Sequence, residues 1–221
     1  MISLKLLLYL SIGTMIMLVP IMIQGIWYEV KWHKRIFITL LLTVAGTIGT
    51  YIMFFIENGW IGGTSFFGAV LFVPILFLPV FKLLRIPYGI LMDLCAPAEC
   101  AMLIVMKIQC VLNGCCGGRQ ISFMGNEMIF PSQIAELITA FLILIFLMAM
   151  AKNKNNREII YPMYMLVYGV LRFILNIFRE DWIKTEMFIP FGNIWSLVAI
   201  IVGITWIAAL KKFGKSRNYN K

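Results

Sequence analysis

Apolar residues along this chain do not alternate with polar ones. They gather into seven runs, at roughly residues 6–26, 36–56, 66–81, 88–112, 133–151, 159–178 and 194–210, joined by short polar stretches. A bilayer core about 30 Å thick takes about 20 apolar residues per helix. Segments of alternating hydrophobicity, the mark of a membrane barrel, are absent, so the spans are predicted to be helices. The predicted architecture is all-α, a polytopic membrane bundle of about seven transmembrane helices. One transmembrane domain covers 1–210, and a basic, mobile cytoplasmic tail covers 211–221. The first run resembles a signal peptide in position, but it is long and shows no clear small-residue cleavage site, so it is read as a retained span.

Composition supports the membrane reading. Of 221 residues, 62% are hydrophobic and 13% charged, and the mean hydropathy is +0.92. A soluble domain carries about 25% charged residues, so a disordered chain and a soluble enzyme are both excluded as readings. The net charge of +9 would suggest nucleic acid in a soluble protein. Here it reflects topology, and no nucleic-acid partner is expected. Four basic residues (Lys5, Arg119, Arg179, Lys184) fall on the N-terminal side of the bundle and thirteen on the other. The positive-inside rule then places the N-terminus outside and the C-terminus in the cytoplasm, with the single histidine, His33, on the cytoplasmic side. One His and five Cys are too few and wrongly spaced for a zinc site, so no metal and no cofactor are expected.

Charge inside a span is costly and marks a protein interior or a water-filled cavity. The fourth run holds Asp93, Glu99 and Lys107, the fifth starts at Glu136, and the sixth holds Arg172 and ends at Arg179. These three runs are the candidate functional bundle. In the sixth, Tyr168, Arg172, Asn176 and Arg179 recur at helical spacing and share one face. Two arginines on one stripe suit a phosphate. The structural alternative for Arg179 is an interfacial residue beside Glu180 and Asp181. Glu99 and Lys107 lie about 12 Å apart along their helix, too far to pair, so Lys107 needs Glu136, Glu57 or a ligand anion. Pro97 is expected to kink that helix. Asp93, near the inner end, reads as an interfacial or packing residue.

Two connecting stretches add chemistry. The turn Asn113-Gly114-Cys115-Cys116-Gly117-Gly118-Arg119 allows close backbone approach to a ligand and can present N–H groups to an anion. Cys110, Cys115 and Cys116 are candidate thiols or a disulfide pair. No redox CxxC is present, so small buried residues are the plainer reading. The stretch 62–68, with Ser65 inside it, reads Gly-Gly-Thr-Ser-Phe-Phe-Gly; such small residues also serve helix packing.

These segments together resemble the prolipoprotein diacylglyceryl transferase family. Its central signature is Gly-Arg-x-Gly-Asn-Phe-x-Asn-Gly-Glu, and Met106-Lys107-Ile108-Gln109-Cys110-Val111-Leu112-Asn113-Gly114-Cys115 occupies that stretch. The run from Gly114 to Arg119 is similar to a Gly-Cys-Cys-x-Gly-Arg form found in divergent members. Pro131-Ser132-Gln133-Ile134-Ala135-Glu136 resembles the family's Pro-Ser-Gln-Leu-Tyr-Glu. The stretch from Tyr168 to Arg179 resembles Tyr-Gly-x-x-Arg-Phe-x-x-Glu-Phe-Phe-Arg. Tyr168, Arg172, Arg179, Asn113, Glu136 and Gly118 match the family. Lys107 replaces its Arg, Cys110 an Asn, Cys115 a Glu and Asn176 a Glu, and Phe67 stands where its Ser-Phe-His-Gly motif has His.

The resemblance implies a multi-pass protein of the bacterial plasma (inner) membrane. It implies an enzyme that moves a diacylglyceryl group from phosphatidylglycerol to the lipobox cysteine of a prolipoprotein. On that pattern Arg172, Glu136 and Lys107 are the catalytic candidates. Arg179, Tyr168, Asn113, Gly118, Asn176 and Ser65 are the substrate-binding ones. Arg172 and Arg179, with Lys107 helping, would clamp the phosphodiester. With no outward-facing His, Glu136 is the first candidate base and Glu57 the next. The alternatives are a non-catalytic or redirected relative that binds anionic phospholipid and, as a lesser one, a membrane thiol oxidoreductase. A transporter, the generic alternative, lacks an inverted repeat.

Overall fold

The computed structural model describes residues 4–60, 62–114, 117–123, 126–179 and 190–219. Eight α-helices stand among them: α1 (Leu4–Trp27), α2 (Trp32–Asn58), α3 (Phe67–Leu76), α4 (Leu78–Leu84), α5 (Tyr88–Asn113), α6 (Ser132–Ala151), α7 (Ile160–Asn176) and α8 (Phe191–Tyr219). Five of them, α1, α2, α5, α6 and α8, are long and apolar enough to cross a membrane. Their outward residues, such as Ile12, Leu40, Phe141 and Leu142, are exposed apolar side chains suited to lipid. The chain is therefore an all-helical, multi-pass membrane protein.

Two of the seven expected spans differ from the simple picture. The third is broken into α3 and α4, which meet at 50° and make a sixth crossing if taken as one. Pro79 enters α4 in its first turn and cannot donate a backbone N–H, so the helix of α3 stops at Phe77 and restarts. The sixth, α7, has 17 residues, about 26 Å of helix and the short end of what spans a bilayer. By contrast Pro97 lies inside α5 without interrupting it. The last helix continues to Tyr219, so most of the predicted tail is helical backbone continuous with the last span.

Helix α5 is the axis of the bundle. Of its span 72% is buried inside the protein, against 22–39% for the other long spans. It packs against α1 and α6, while α7 packs against α8 and α2 against α3. The α2–α3 contact is made backbone to backbone. A Cβ on Gly68 would run into the Gly49 carbonyl, so only glycines allow this approach. The contact sets the segment before α3 against α2, and Ser65 N–H donates to the Thr50 carbonyl at 3.1 Å.

Of the two roles expected for Asp93, interfacial or packing, the structure shows the second: the residue is fully buried. Its carboxylate accepts from the backbone N–H groups of Glu158 (2.6 Å), Ile160 (3.0 Å) and Tyr161 (3.4 Å) and from the Tyr28 hydroxyl (3.2 Å). The first turn of α7 has no side-chain cap of its own, so α5 supplies one from across the bundle. Glu158 takes a left-handed φ of 71° in the turn that presents these amides. Burial, with Asp93 beside it, pushes the Tyr28 phenol above its ordinary range, so it stays a donor. Gln24 adds a bond to the Asp93 carbonyl at 3.0 Å. Asp93 thus ties α1, α5 and α7 together at one end of the bundle.

At the opposite end of α5 the connection to α6 forms a small antiparallel hairpin, β1 (Gln120–Phe123) with β2 (Asn126–Ile129). This hairpin was not among the elements predicted. It is pinned to the chain that follows α7. Gly118 pairs with Arg179 in an isolated bridge, and Arg119 N–H donates to the Phe178 carbonyl at 3.0 Å. Phe130 stacks on Phe178 with ring centroids 4.8 Å apart.

Candidate functional site

Three helices and one loop bring four charged side chains together. Glu136, in the first turns of α6, contacts Lys107 from α5, Arg172 from α7 and Arg179 from beyond α7. Arg179 Nη1 donates to Glu136 Oε1 at 2.9 Å. Only 4% of the Glu136 side chain is exposed, and 11%, 16% and 12% of those of Lys107, Arg172 and Arg179. Among the described residues one carboxylate therefore serves three nearly buried cations, and Lys107 and Arg172 by themselves already bring one positive charge more than Glu136 balances. Burying charge costs several kcal/mol per ion unless it is well paired, so the excess calls for an anion.

These cations face a cavity of about 500 Å³. That lies within the range of about 300–1,000 Å³ usual for a small-molecule site. Lys107, Cys110 and Asn113 line it from α5, Tyr168, Arg172 and Asn176 from α7, and Arg179 from the segment beyond. Glu57 at the end of α2, Ser65 before α3 and Phe67 at its start line it as well. Asn176 is 6% exposed, and its Nδ2 finds no hydrogen-bond partner; the Arg172 Nε is likewise unpartnered. Buried donors of this kind are rare unless a ligand or water meets them. Tyr168 is buried, with its ring against Phe66 and Phe67 at 5.7 and 5.4 Å.

The residues expected from the sequence distribute as follows. Lys107, Cys110, Asn113, Tyr168, Arg172, Asn176, Arg179 and Ser65 share the cavity wall. Arg179 reaches it from outside the α7 helix, because the helix ends at Asn176 and the hairpin bridge positions the next three residues. Glu136 sits behind the cations, where both its oxygens are engaged, and does not line the cavity. Gly118 does not line it either. A Cβ there would collide with the Phe130 carbonyl, so the glycine serves the fold that delivers Arg179. Cys115 and Cys116 lie outside the described residues. Two features had no signal in the sequence. The Ser65 hydroxyl donates to Glu57 Oε1 at 2.8 Å, and Pro190 and Gly192 at the start of α8 close the cavity beside Asn176.

A second chamber of about 170 Å³ adjoins the first. The two share Thr64, Phe66, Met106 and Gln109 as walls, and the second is otherwise lined mainly by apolar residues such as Leu10, Met17, Leu42 and Met102, with three threonines and the buried Glu99, whose carboxylate accepts from the Tyr161 hydroxyl at 3.1 Å. A cationic chamber next to an apolar one matches an amphiphile with an anionic head.

Comparison with known proteins gives a consistent result. The sequence model of a family described as prolipoprotein diacylglyceryl transferase matches residues 6–209. A protein of Geobacter sulfurreducens named phosphatidylglycerol–prolipoprotein diacylglyceryl transferase is 28% identical over 158 residues, 66% of this chain and 61% of that one. A Clostridium tetani protein of the same name is 28% identical over 126 residues, 52% and 51% of the two chains. One from Ehrlichia ruminantium is 25% identical over 162 residues, 66% and 62%. The chain thus spans between half and two thirds of the length of these relatives.

Proposed function

This chain belongs to the prolipoprotein diacylglyceryl transferase family, and from that premise we propose that it transfers a diacylglyceryl group from phosphatidylglycerol to the cysteine thiol of a lipobox-bearing prolipoprotein. The observation that carries this reading is the charge balance at Glu136. Three nearly buried cations share one carboxylate, and they face a cavity that continues into an apolar chamber. A phosphodiester with acyl chains satisfies both at once.

The chemistry asks for little covalent work by the protein. The acceptor sulfur attacks the glyceryl CH₂ that bears the phosphate, and the C–O bond breaks. The leaving glycerol phosphate carries away the electron pair and gains a negative charge. Arg172, Arg179 and Lys107 stabilise that developing charge in a site shielded from water. Lysine is a point charge without the guanidinium fork, so this clamp holds less geometry than two arginines and a third would. Asn176 Nδ2 and the Arg172 Nε are donors waiting for ligand oxygens. The site belongs on the outer face of a bacterial plasma membrane, with the N-terminus outside and the C-terminus in the cytoplasm, in agreement with the distribution of basic residues. A single transmembrane domain carries all of it.

A second reading has one observation in its favour. Phe67 is 4% exposed and packed on Tyr168, so the family's histidine position holds nothing that titrates. A relative that binds anionic phospholipid without transferring it would look like this. Purified protein in detergent, given phosphatidylglycerol and a lipobox peptide, separates the two. Thioether-linked peptide detected by mass spectrometry, and lost in Arg172→Ala, is the expected result. Retained lipid with no product, beside an active family enzyme, would leave only the binding role.

A further inference from the structure

Thiol chemistry needs a proton acceptor, because a free thiol has a pKa of about 8.5 and is mostly protonated at neutral pH. His33, the only histidine, opens α2 at the end opposite Glu57, and Phe67 carries no titratable atom. Glu136 is behind the cations with both oxygens in ion pairs. Among the described residues, one carboxylate lines the cavity, and that is Glu57. We propose that Glu57 is the proton acceptor of this cavity, taking the proton of the incoming thiol from the wall on which the family's histidine would stand. The assignment rests on the transferase reading.

The placement is built, not incidental. Glu57 is the last residue but one of α2, and Ser65 stands two residues before Phe67. Ser65 Oγ holds Glu57 Oε1 at 2.8 Å and leaves lone pairs of Oε2 available. Ser65 is itself fixed, by its N–H to the Thr50 carbonyl at 3.1 Å and by its carbonyl to Gly68 N–H at 2.9 Å. The Gly49–Gly68 approach locks that segment onto α2. The Glu57 carboxylate and the side chain at position 67 are therefore held by the same anchored segment, and both line the cavity that the cations of α5 and α7 also line. The groups that face Glu57 are Arg172 of α7, Lys107 of α5 and Arg179 across the cavity, and the Trp195 indole N–H of α8, which approaches the carboxylate without closing a hydrogen bond. In the step, the S–H proton passes to Glu57 and the sulfur pair forms the C–S bond. The C–O pair stays on the phosphate among the cations, and Glu57 returns its proton to water.

The test uses the purified full chain, phosphatidylglycerol and a lipobox peptide, with product followed by mass spectrometry and lipid retention by native mass spectrometry. Glu57→Gln should retain lipid as the parent does while kcat falls by about 10²–10⁴, the range for losing a general base. Its residual rate should rise about tenfold per pH unit up to the free thiol's value near 8.5, because only spontaneous thiolate then reacts. Adding Phe67→His to Glu57→Gln should return at least roughly tenfold of the lost rate, by placing a base on the same wall. A Glu57→Gln protein with the parent's rate and pH profile overturns the assignment and leaves the transferase reading standing. Loss of lipid together with activity, unrelieved by Phe67→His, also overturns it, since a structural carboxylate behaves so. A parent chain that makes no product at any pH overturns both.

Discussion

Replacing Glu136 by Gln removes the one charge that three cations share while keeping nearly the same volume. At the 2.9 Å separation of Arg179 and Glu136, and an effective dielectric near 20, the single Coulomb contact is worth about 6 kcal/mol before desolvation is subtracted. Breaking a buried pair by removing one partner costs about 3–5 kcal/mol, because the other charge stays buried without compensation. Here Lys107 and Arg172 both lose the carboxylate they share, and Arg179 loses one contact, so the upper part of that range is expected. For a chain of this size that is a fall of roughly 10 °C in unfolding temperature. The loss should also be selectively reversible. An anionic headgroup in the cavity supplies the missing negative charge, and a ligand at 100 times its Kd returns about 2.7 kcal/mol. Thermal unfolding of the parent and of Glu136→Gln, followed by tryptophan fluorescence in detergent with added phosphatidylglycerol or phosphatidylcholine, measures this. Phosphatidylglycerol should restore the variant well beyond phosphatidylcholine. A variant as stable as the parent, or equal rescue by the zwitterionic lipid, would refute the reasoning from charge balance.

Two further outcomes follow from the geometry. Asp93→Ala strips the cap from the first turn of α7 and leaves the buried amides of Ile160 and Tyr161 and the half-buried one of Glu158 without this acceptor, at about 1–3 kcal/mol for each buried group; little folded protein should survive size-exclusion chromatography, whereas Asp93→Asn, which can still accept at one oxygen, should yield an intermediate amount. Lys107→Arg restores a planar fork beside Glu136 in a cavity with room for it, so phosphatidylglycerol retention by native mass spectrometry should rise severalfold.

Much of the fold was legible because a bilayer leaves a chain few options. Without water in its core, a spanning segment must satisfy its backbone internally and cover itself with apolar side chains, and both demands are local. Most of the seven runs therefore map onto helices of the bundle to within a few residues, although the third is split in two and the last helix runs on to Tyr219. Charges stranded inside spans are costly wherever they sit, so Lys107, Arg172 and Glu136 stood out on their own. What escaped depended on contacts between distant parts of the chain. The 50° angle between α3 and α4 is set by packing, although Pro79 marks the break itself, and the hairpin needed the backbone bridge from Gly118 to Arg179. For Asp93 the sequence leaves an interfacial and a packing role open until α7 is laid across it, and Glu136 reads as a base until three cations from other elements close on it. Spacing along one helix can place side chains on a common face, as it did for Tyr168, Arg172 and Asn176. Which faces then meet, which carboxylate is occupied and which still lines the cavity are decided by packing over separations of tens of residues, and only the tertiary structure contains that information.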